Sequence, residues 1–352
     1  GAGSAGSVVA NRLSANGKHR VLVLEAGRES HPWSRIPVGF AKLIENPAAN
    51  WLYSSEPEES TGGRRIPIPR GKLLGGSSSI NGLVYVRGHP RDFDQWEEMG
   101  AGGWGHASCL PYFKKSESFQ GGGDSTYRGQ NGPLNVNNGN GMKNPLYGAF
   151  VEAGVEAGYI KTDDPNGYLQ EGFGPMNMTV KNGVRWSAAK AYLHPAMERP
   201  NLEVRTKAMT RRILLKDGRA IGVEYDRGGS TRQVSARQEV IVASGPIGSP
   251  HLLQRSGIGP AAVLKKAGVE VLQDEGAEVR AARQVVADVA LSPDPPDPNR
   301  VPPVLGRAAG RHVDRRPFEA AAELYVGRHH GGGEHPHAHG AKGVHGEAIH
   351  AL

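Results

Sequence analysis

The sequence predicts an α/β fold: a doubly wound, dinucleotide-binding sheet with an incomplete α+β second domain and a C-terminal tail poorly suited to packing. Three observations carry this expectation. The chain opens on Gly1-Ala2-Gly3-Ser4-Ala5-Gly6, which satisfies G-x-G-x-x-G and runs into an amphipathic stretch and then an apolar one. A second glycine turn, Gly75-Gly76, leads into Ser77, Ser78 and Ser79. A third, at Gly245, follows the apolar run 239–245, read here as a buried strand.

The first of these has the context that a glycine fingerprint needs. Residues 7–15 repeat apolar side chains at helical spacing, and residues 19–27 read as a hydrophobic strand ending at Glu25. A turn, a helix, a strand and an acid about 20 positions on form the dinucleotide pattern. Gly1 makes the turn, Gly3 lets a pyrophosphate approach the backbone, and Gly6 brings the helix onto the sheet. Glu25 accepts hydrogen bonds from ribose hydroxyls and repels a 2′-phosphate, which disfavours NADP. The strand expected before Gly1 is absent from the sequence, so a chain truncated inside the motif, or one lacking its central strand, is expected.

The Gly75-Gly76 turn lets a backbone come close to a flat or anionic ligand. The serines offer hydroxyls and an N-cap for a following helix, whose dipole would face that ligand. Asn81 adds a donor and an acceptor. Trp51 and Tyr53, upstream, are expected to pack.

Residues 102–141 are rich in glycine and asparagine and are expected to hold little helix. His89 and His106 lie in polar loop segments and read as solvated. Residues 144–158 have the helical period. Asp163 and Asp164 precede Pro-Asn-Gly, so a turn is expected there and not a metal site. Residues 187–197 read as a helix capped by Ser187. Strands follow at 202–206, 209–215, 220–226 and 231–236, with turns at Lys216-Asp217-Gly218 and Gly228-Gly229. After Gly245, Ser249-Pro250 is expected to open a helix that Gly257 closes.

Composition narrows the function classes. The net charge of +7 over 352 residues is scattered, with no basic stripe interleaved with aromatics, so nucleic acid is not the expected partner. A single cysteine, Cys109, excludes an intrachain disulfide and a cysteine-ligated zinc cluster. No apolar run has the length of a membrane span. From Glu275 onward regular apolar periodicity is lost, and residues 292–303 are too proline-rich for a regular helix or central strand. That composition is expected of a GC-rich gene read out of frame, so a frameshift near Asp274 is inferred. The histidine-rich stretch 329–340 reads as adventitious and not as a built metal site.

Two stretches resemble one family closely. Gly71, Gly75-Gly76-Ser77-Ser78, Ile80-Asn81, Tyr85, Gly88 and Asp94 fit the first signature of the glucose–methanol–choline family of flavin oxidoreductases. Residues 245–259 fit its second signature throughout. The resemblance covers the chain to about Leu272 and implies an FAD-binding Rossmann-like domain in two parts, 1–110 and 186–274. Residues 111–185 would form a partial substrate or cap region, and 275–352 a non-native tail.

By resemblance, the FAD contacts are Gly1, Gly3, Ser4, Ala5, Gly6, Glu25, Ala26, Gly75, Gly76, Ser77, Asn81, Gly82, Leu83, Val84, Thr210, Ala243 and Gly245. Ser77, Asn81, Gly82 and Val84 would line pyrophosphate and isoalloxazine, and the backbone at Thr210 the adenine. Ile80 stands where some members carry a histidine bonded to the flavin, so noncovalent FAD is expected. Residues 163–176 and 205–210 resemble the choline-oxidising branch, which implies an alcohol substrate, choline, oxidised toward betaine aldehyde by hydride transfer to flavin N5. The electron acceptor is left open.

The family's distal catalytic histidine, the Leu-Pro-Gly-Val-Gly turn and the Asn-Leu-Gln-Asp-His segment have no counterpart. His194 and His251 lie in the wrong context, and no catalytic or metal-binding residue is named. The chain is therefore expected to be inactive by itself, the alternative being a non-catalytic FAD-binding fragment. A cytoplasmic setting is expected, with membrane association open to the parent enzyme at the inner membrane surface.

Overall fold

The computed structural model describes residues 1–139 and 143–274. The expectations for the tail, including the frameshift, the proline run and the histidine tract, lie outside the described residues. Within them, helices and short strands alternate around a core built where the first helix meets a parallel strand pair.

The helix Ser4–Ser14 begins directly after Gly3 and buries Gly6, Ser7, Ala10 and Ser14. These small residues, three and four apart, make a flat stripe that admits close packing. A Cβ on Gly6 would lie 1.9 Å from the Gly1 carbonyl oxygen, so only glycine fits. The strand Val21–Leu24 pairs in parallel with Leu202–Arg205, in register Val21 with Leu202 through Leu24 with Arg205. Ala2, Ala10, Val23, Leu74, Ala189, Leu193, Ala196 and Leu202 pack as one buried cluster at this junction. Fully burying a leucine such as Leu193 contributes about 1.5–3 kcal/mol. The run 202–206, expected beside the later strands, thus belongs to the parallel pair.

The segment after Trp186 is helical as expected, but as a π-turn, Ala189–Leu193, running into His194–Ala196. Pro195 supplies the reason. It has no N–H to bond the Ala191 carbonyl, and the His194 N–H bonds instead to Ala189, five residues back. Ser187 does stand at its start, with Oγ facing the Lys190 N–H at 3.5 Å.

Three further strands, Met209–Lys216, Arg219–Arg227 and Ser230–Ser235, form the expected antiparallel meander. Its turns carry positive φ at both central residues, Asp217-Gly218 and Gly228-Gly229, which matches the twist of tight hairpins. Ser256 ties this meander to the helix Gly245–Arg255: its Oγ accepts from the Ile213 N–H at 2.8 Å and donates to the Leu252 carbonyl at 2.6 Å. Ser256→Ala would leave a buried N–H unsatisfied. We expect a loss of about 1–3 kcal/mol in urea unfolding, and a change below about 0.5 kcal/mol would contradict this account of the joint.

Four expectations need correction. Residues 239–245 are not a buried strand: no strand is assigned there, and Ile241 is 46% exposed. An extended run becomes a strand only by pairing, and no described backbone group bonds to residues 239–243. The loop 75–81 does not open a helix. It makes one 3-10 turn, Gly76–Ser79, after left-handed Gly75, so no macrodipole faces the site. The helix Gly245–Arg255 starts a turn before Ser249 and carries Pro250 inside it, with the Ser249 Oγ accepting from the Ser244 N–H. Residues 102–141 contain an eleven-residue helix, His106–Ser116. It is held by Phe113 against Phe93, ring centroids 5.5 Å apart, and by Asp94 accepting the His106 N–H.

Other readings agree with the structure. Pro145–Glu156 is a helix capped by Asn144. Trp51 stacks on Tyr53 at 5.9 Å. Asp164 closes a turn by accepting from the Asn166 N–H. No helix among the described residues is long and apolar enough to cross a membrane.

Candidate cofactor site

The three glycine turns meet. Gly3 and Gly76 face each other so closely that a Cβ on Gly76 would lie 2.8 Å from the Gly3 Cα. The Gly75 N–H donates to the Ala2 carbonyl at 2.7 Å, which ties the two loops together. On the other side of the fingerprint, a Cβ on Gly1 would stand 2.4 Å from the Ala243 oxygen. Turns that are widely separated in sequence therefore share one floor. Their glycines are required by backbone contact at Gly1, Gly6 and Gly76.

Gly3 is different. Its φ is −72°, which any residue can adopt, and the only atom within 4 Å of an added Cβ is the Gly76 Cα, at 3.9 Å. The chain itself does not need a glycine here. A ligand lying against the backbone would, so the open space over Gly3 fits a cofactor cradled on this floor. Ser4 and Ala5 are exposed beside it, in the first turn of the helix, and Gly245 is exposed with φ +84°.

Glu25 is buried, and both its oxygens are engaged: Oε2 accepts the Ala2 N–H and Oε1 the Gly27 N–H, each at 2.8 Å. The carboxylate thus pins the start of the fingerprint to the end of Val21–Leu24, and each oxygen keeps a lone pair for another donor. Ala26 lines an open cleft of about 380 Å³ with Gly27, Arg28, Pro47, Ala48, Lys72 and Lys207. Thr210 reaches this end through its strand, because the Ala208 N–H donates to the Glu25 carbonyl. A second cleft, of about 640 Å³, lies elsewhere, between the helix Pro145–Glu156 and residues 161–175, and it brings together none of the expected contacts.

The serine run is less available than its sequence promises. The Ser78 hydroxyl donates to the Gly75 carbonyl and that of Ser79 to the Leu74 carbonyl. Only the Ser77 hydroxyl keeps its proton uncommitted, its oxygen accepting from the Gly71 N–H. Asn81, Gly82 and Val84 are exposed at the rim. Leu83 points away: it is 1% exposed at φ +69°, its N–H held by Asn81 and its carbonyl by Thr179. It acts as the pivot of the loop and presents no free group. Ile80, also 1% exposed, is core.

Arg185 lies in no motif of the sequence. It is 1% exposed, and its Nη1 donates to the Asn81 Oδ1 at 2.7 Å and to the Ser78 carbonyl at 3.3 Å. Its Nε and Nη2 have no partner among the described residues. His89 caps the helix Pro90–Glu98 and His31 the short turn Pro32–Arg35, so both are structural.

A glycine-lined floor beside a parallel strand pair, with an acid at the strand end, defines a dinucleotide-binding protein of the flavoprotein type. Comparison with known proteins names the family. A profile of the GMC oxidoreductases matches residues 1–291, and the chain belongs to that family, whose N-terminal domain binds FAD. It is 52% identical over 276 residues to the oxygen-dependent choline dehydrogenase of Photobacterium profundum, covering 78% of this chain and 48% of that protein. Among solved structures it is similar to pyridoxine 4-oxidase from Mesorbium loti, with TM-score 0.74, 36% identity and coverage of 78% and 54% of the two chains. An FAD-dependent oxidoreductase from Chaetomium thermophilum matches at TM-score 0.70 and 30% identity, covering 78% of this chain and 49% of that one. The chain spans about half the length of the curated relatives it matches.

Proposed function

We propose that this chain is the FAD-holding half of a flavoprotein that oxidises an alcohol, choline toward betaine aldehyde, with the cofactor held noncovalently. The single observation that carries the reading is the meeting of the Gly1–Gly6, Gly75–Gly76 and Ala243–Gly245 turns on one floor with open space above Gly3. Gly3, Ser4, Ala5, Gly75, Gly76 and Ser77 would hold the pyrophosphate, on a floor whose turn and helix packing Gly1 and Gly6 set. Glu25, Ala26 and Thr210 serve the ribose and adenine end, Ala243 and Gly245 flank the path, and Asn81, Gly82 and Val84 meet the ring. Ile80 is buried and carries no nucleophile, which supports noncovalent binding.

Bound FAD supplies the acceptor for a hydride, which the side chains of the protein cannot provide. The chain's own part is to fix that cofactor and exclude water from its floor. The choline substrate rests on the names of the relatives, and so does dioxygen as electron acceptor. The domain division at 110, 185 and 274 stays part of this proposal.

Purified chain is expected to be yellow and to release FAD on denaturation. With choline and dioxygen it is expected to show no turnover by itself, because the family's distal catalytic histidine has no counterpart in this sequence. Colourless protein that gains no flavin on incubation with FAD would remove the cofactor reading. Turnover with choline would overturn the expectation of inactivity and, with it, the alternative of a non-catalytic FAD-binding fragment.

A further inference from the structure

The rim residue Asn81 has an orientation that its neighbours dictate. Its Oδ1 receives the Arg185 Nη1 at 2.7 Å and the Leu83 backbone N–H at 3.2 Å. Both partners can only donate, so the carbonyl oxygen of the amide must face them. The Nδ2 group is left over, on a residue exposed at the edge of the glycine floor. Asn81 therefore offers a ligand two N–H donors and no free carbonyl.

Arg185 is the unusual half of the pair. A guanidinium 1% exposed is normally matched by a carboxylate, as Arg128 is by Glu117. Here the partners are an amide and a backbone carbonyl, and two of its nitrogens are orphaned among the described residues. Burial lowers its pKa to about 10, which still leaves it charged at neutral pH. Lys190 is close enough for its own pKa to be lowered by burial and by the charges of Arg35 and Arg185, so a second cation shares this neighbourhood. Holding such a cation under the loop costs stability, and the ordered amide is what the arrangement returns.

We propose that Arg185 is a positioning residue for the cofactor, locking the Asn81 carboxamide with its N–H donors turned toward the flavin ring system. This rests on the FAD reading above and deepens it. The ligand chemistry implied is an electron-rich acceptor edge, such as a ring carbonyl or ring nitrogen, since an Nδ2 group cannot serve a donor. Charge from Arg185 is passed through the hydrogen bond, which makes those donors more acidic and the acceptor bond stronger.

The test compares variants of the full chain by FAD titration, by the absorption spectrum and midpoint potential of bound flavin, and by thermal melting without FAD. Asn81→Asp gives Arg185 a carboxylate and removes the donors. It is expected to raise the melting temperature of the flavin-free chain while weakening FAD binding at least about tenfold, since the ring acceptor loses its donor and meets a charge. Arg185→Met is expected to weaken FAD binding and move the midpoint potential to more negative values, with Arg185→Lys restoring part of both.

The double variant Arg185→Met, Asn81→Ala should bind FAD within about twofold of Asn81→Ala alone, because the arginine acts through the amide. A wild-type chain that takes up no FAD overturns the cofactor reading and this inference with it. A wild-type chain that binds FAD, beside an Asn81→Asp variant that binds equally well with an unchanged spectrum, overturns the inference alone. Additive losses in the double variant would do the same. If Arg185→Met does not fold, Asn81→Asp still decides.

Discussion

Replacing Glu117 with alanine is expected to destabilise the chain by about 3–5 kcal/mol, a large part of the roughly 5–15 kcal/mol that holds a typical domain together. The carboxylate is fully buried and accepts from three donors: the Arg87 Nη2 and Arg128 Nη2 at 2.7 Å, and the Gly129 N–H at 2.9 Å. Both guanidiniums are buried as well, and Arg128 lies over the Phe119 ring at 3.5 Å. Without Glu117, Arg128 keeps Asp164 and Asn177, but among the described residues Arg87 keeps no carboxylate: it retains the Tyr127 carbonyl, a long bond to the Tyr85 hydroxyl and the Phe113 ring at 5.3 Å. A charge stranded that way is the expensive case, more than the loss of the attraction itself.

Glu117→Gln separates charge from volume. It fills the same space, yet turns an amide N–H group toward at least one guanidinium, so its loss should approach that of alanine. Glu203→Ala is the control. Its pair with Arg205 at 2.7 Å is 58% exposed on the Glu203 side, and such pairs contribute about 0–1 kcal/mol. Urea unfolding of the three variants reads the order directly. A Glu117→Gln value within about 1 kcal/mol of wild type would mean that water or a shifted side chain relieves the cations, and that the cluster is not what joins residues 87, 117, 128 and 164.

This cluster also shows where sequence reading stops. Glu117 follows Lys-Lys-Ser and looks like one more solvated charge. Nothing local says that arginines 30 residues upstream and 11 downstream converge on it. The glycine turns were legible because glycine is itself a statement about backbone approach, at Gly1, Gly6 and Gly76 above all. The meander was legible because its alternation and its Asp217-Gly218 and Gly228-Gly229 turns agree. By contrast, 239–245 has the composition of a strand, but composition cannot supply the neighbour that a strand needs. The helix His106–Ser116 was hidden for a related reason: its glycine-rich surroundings and Pro111 argue against helix, and Phe93 on another helix overrides them. Arg185 was invisible because its importance lies in the acid it lacks.

Gly3→Ala carries the second large effect, and its value is that it should fall on binding alone. At Gly76 the same exchange would confuse two causes, since φ is +53° and the new methyl would push the Gly3 Cα from 2.8 Å. At Gly3 the chain has no objection: the backbone is ordinary for alanine, and the methyl meets only one carbon, at van der Waals distance. Thermal melting of the flavin-free variant should therefore stay within about 1 kcal/mol of wild type, the range expected for a cap residue exchanged without a lost side-chain bond. A pyrophosphate seated on the Gly3 backbone would meet that methyl head on. Overpacking costs of about 1–3 kcal/mol, together with weakened backbone N–H contacts, correspond to FAD binding weaker by up to about a hundredfold. Gly62→Ala serves as the reference: it is left-handed at φ +66° and open on every side, so it should lose some stability and no affinity. If Gly3→Ala binds FAD as wild type does, the space above Gly3 is not where the cofactor lies, and the three turns meet for packing only.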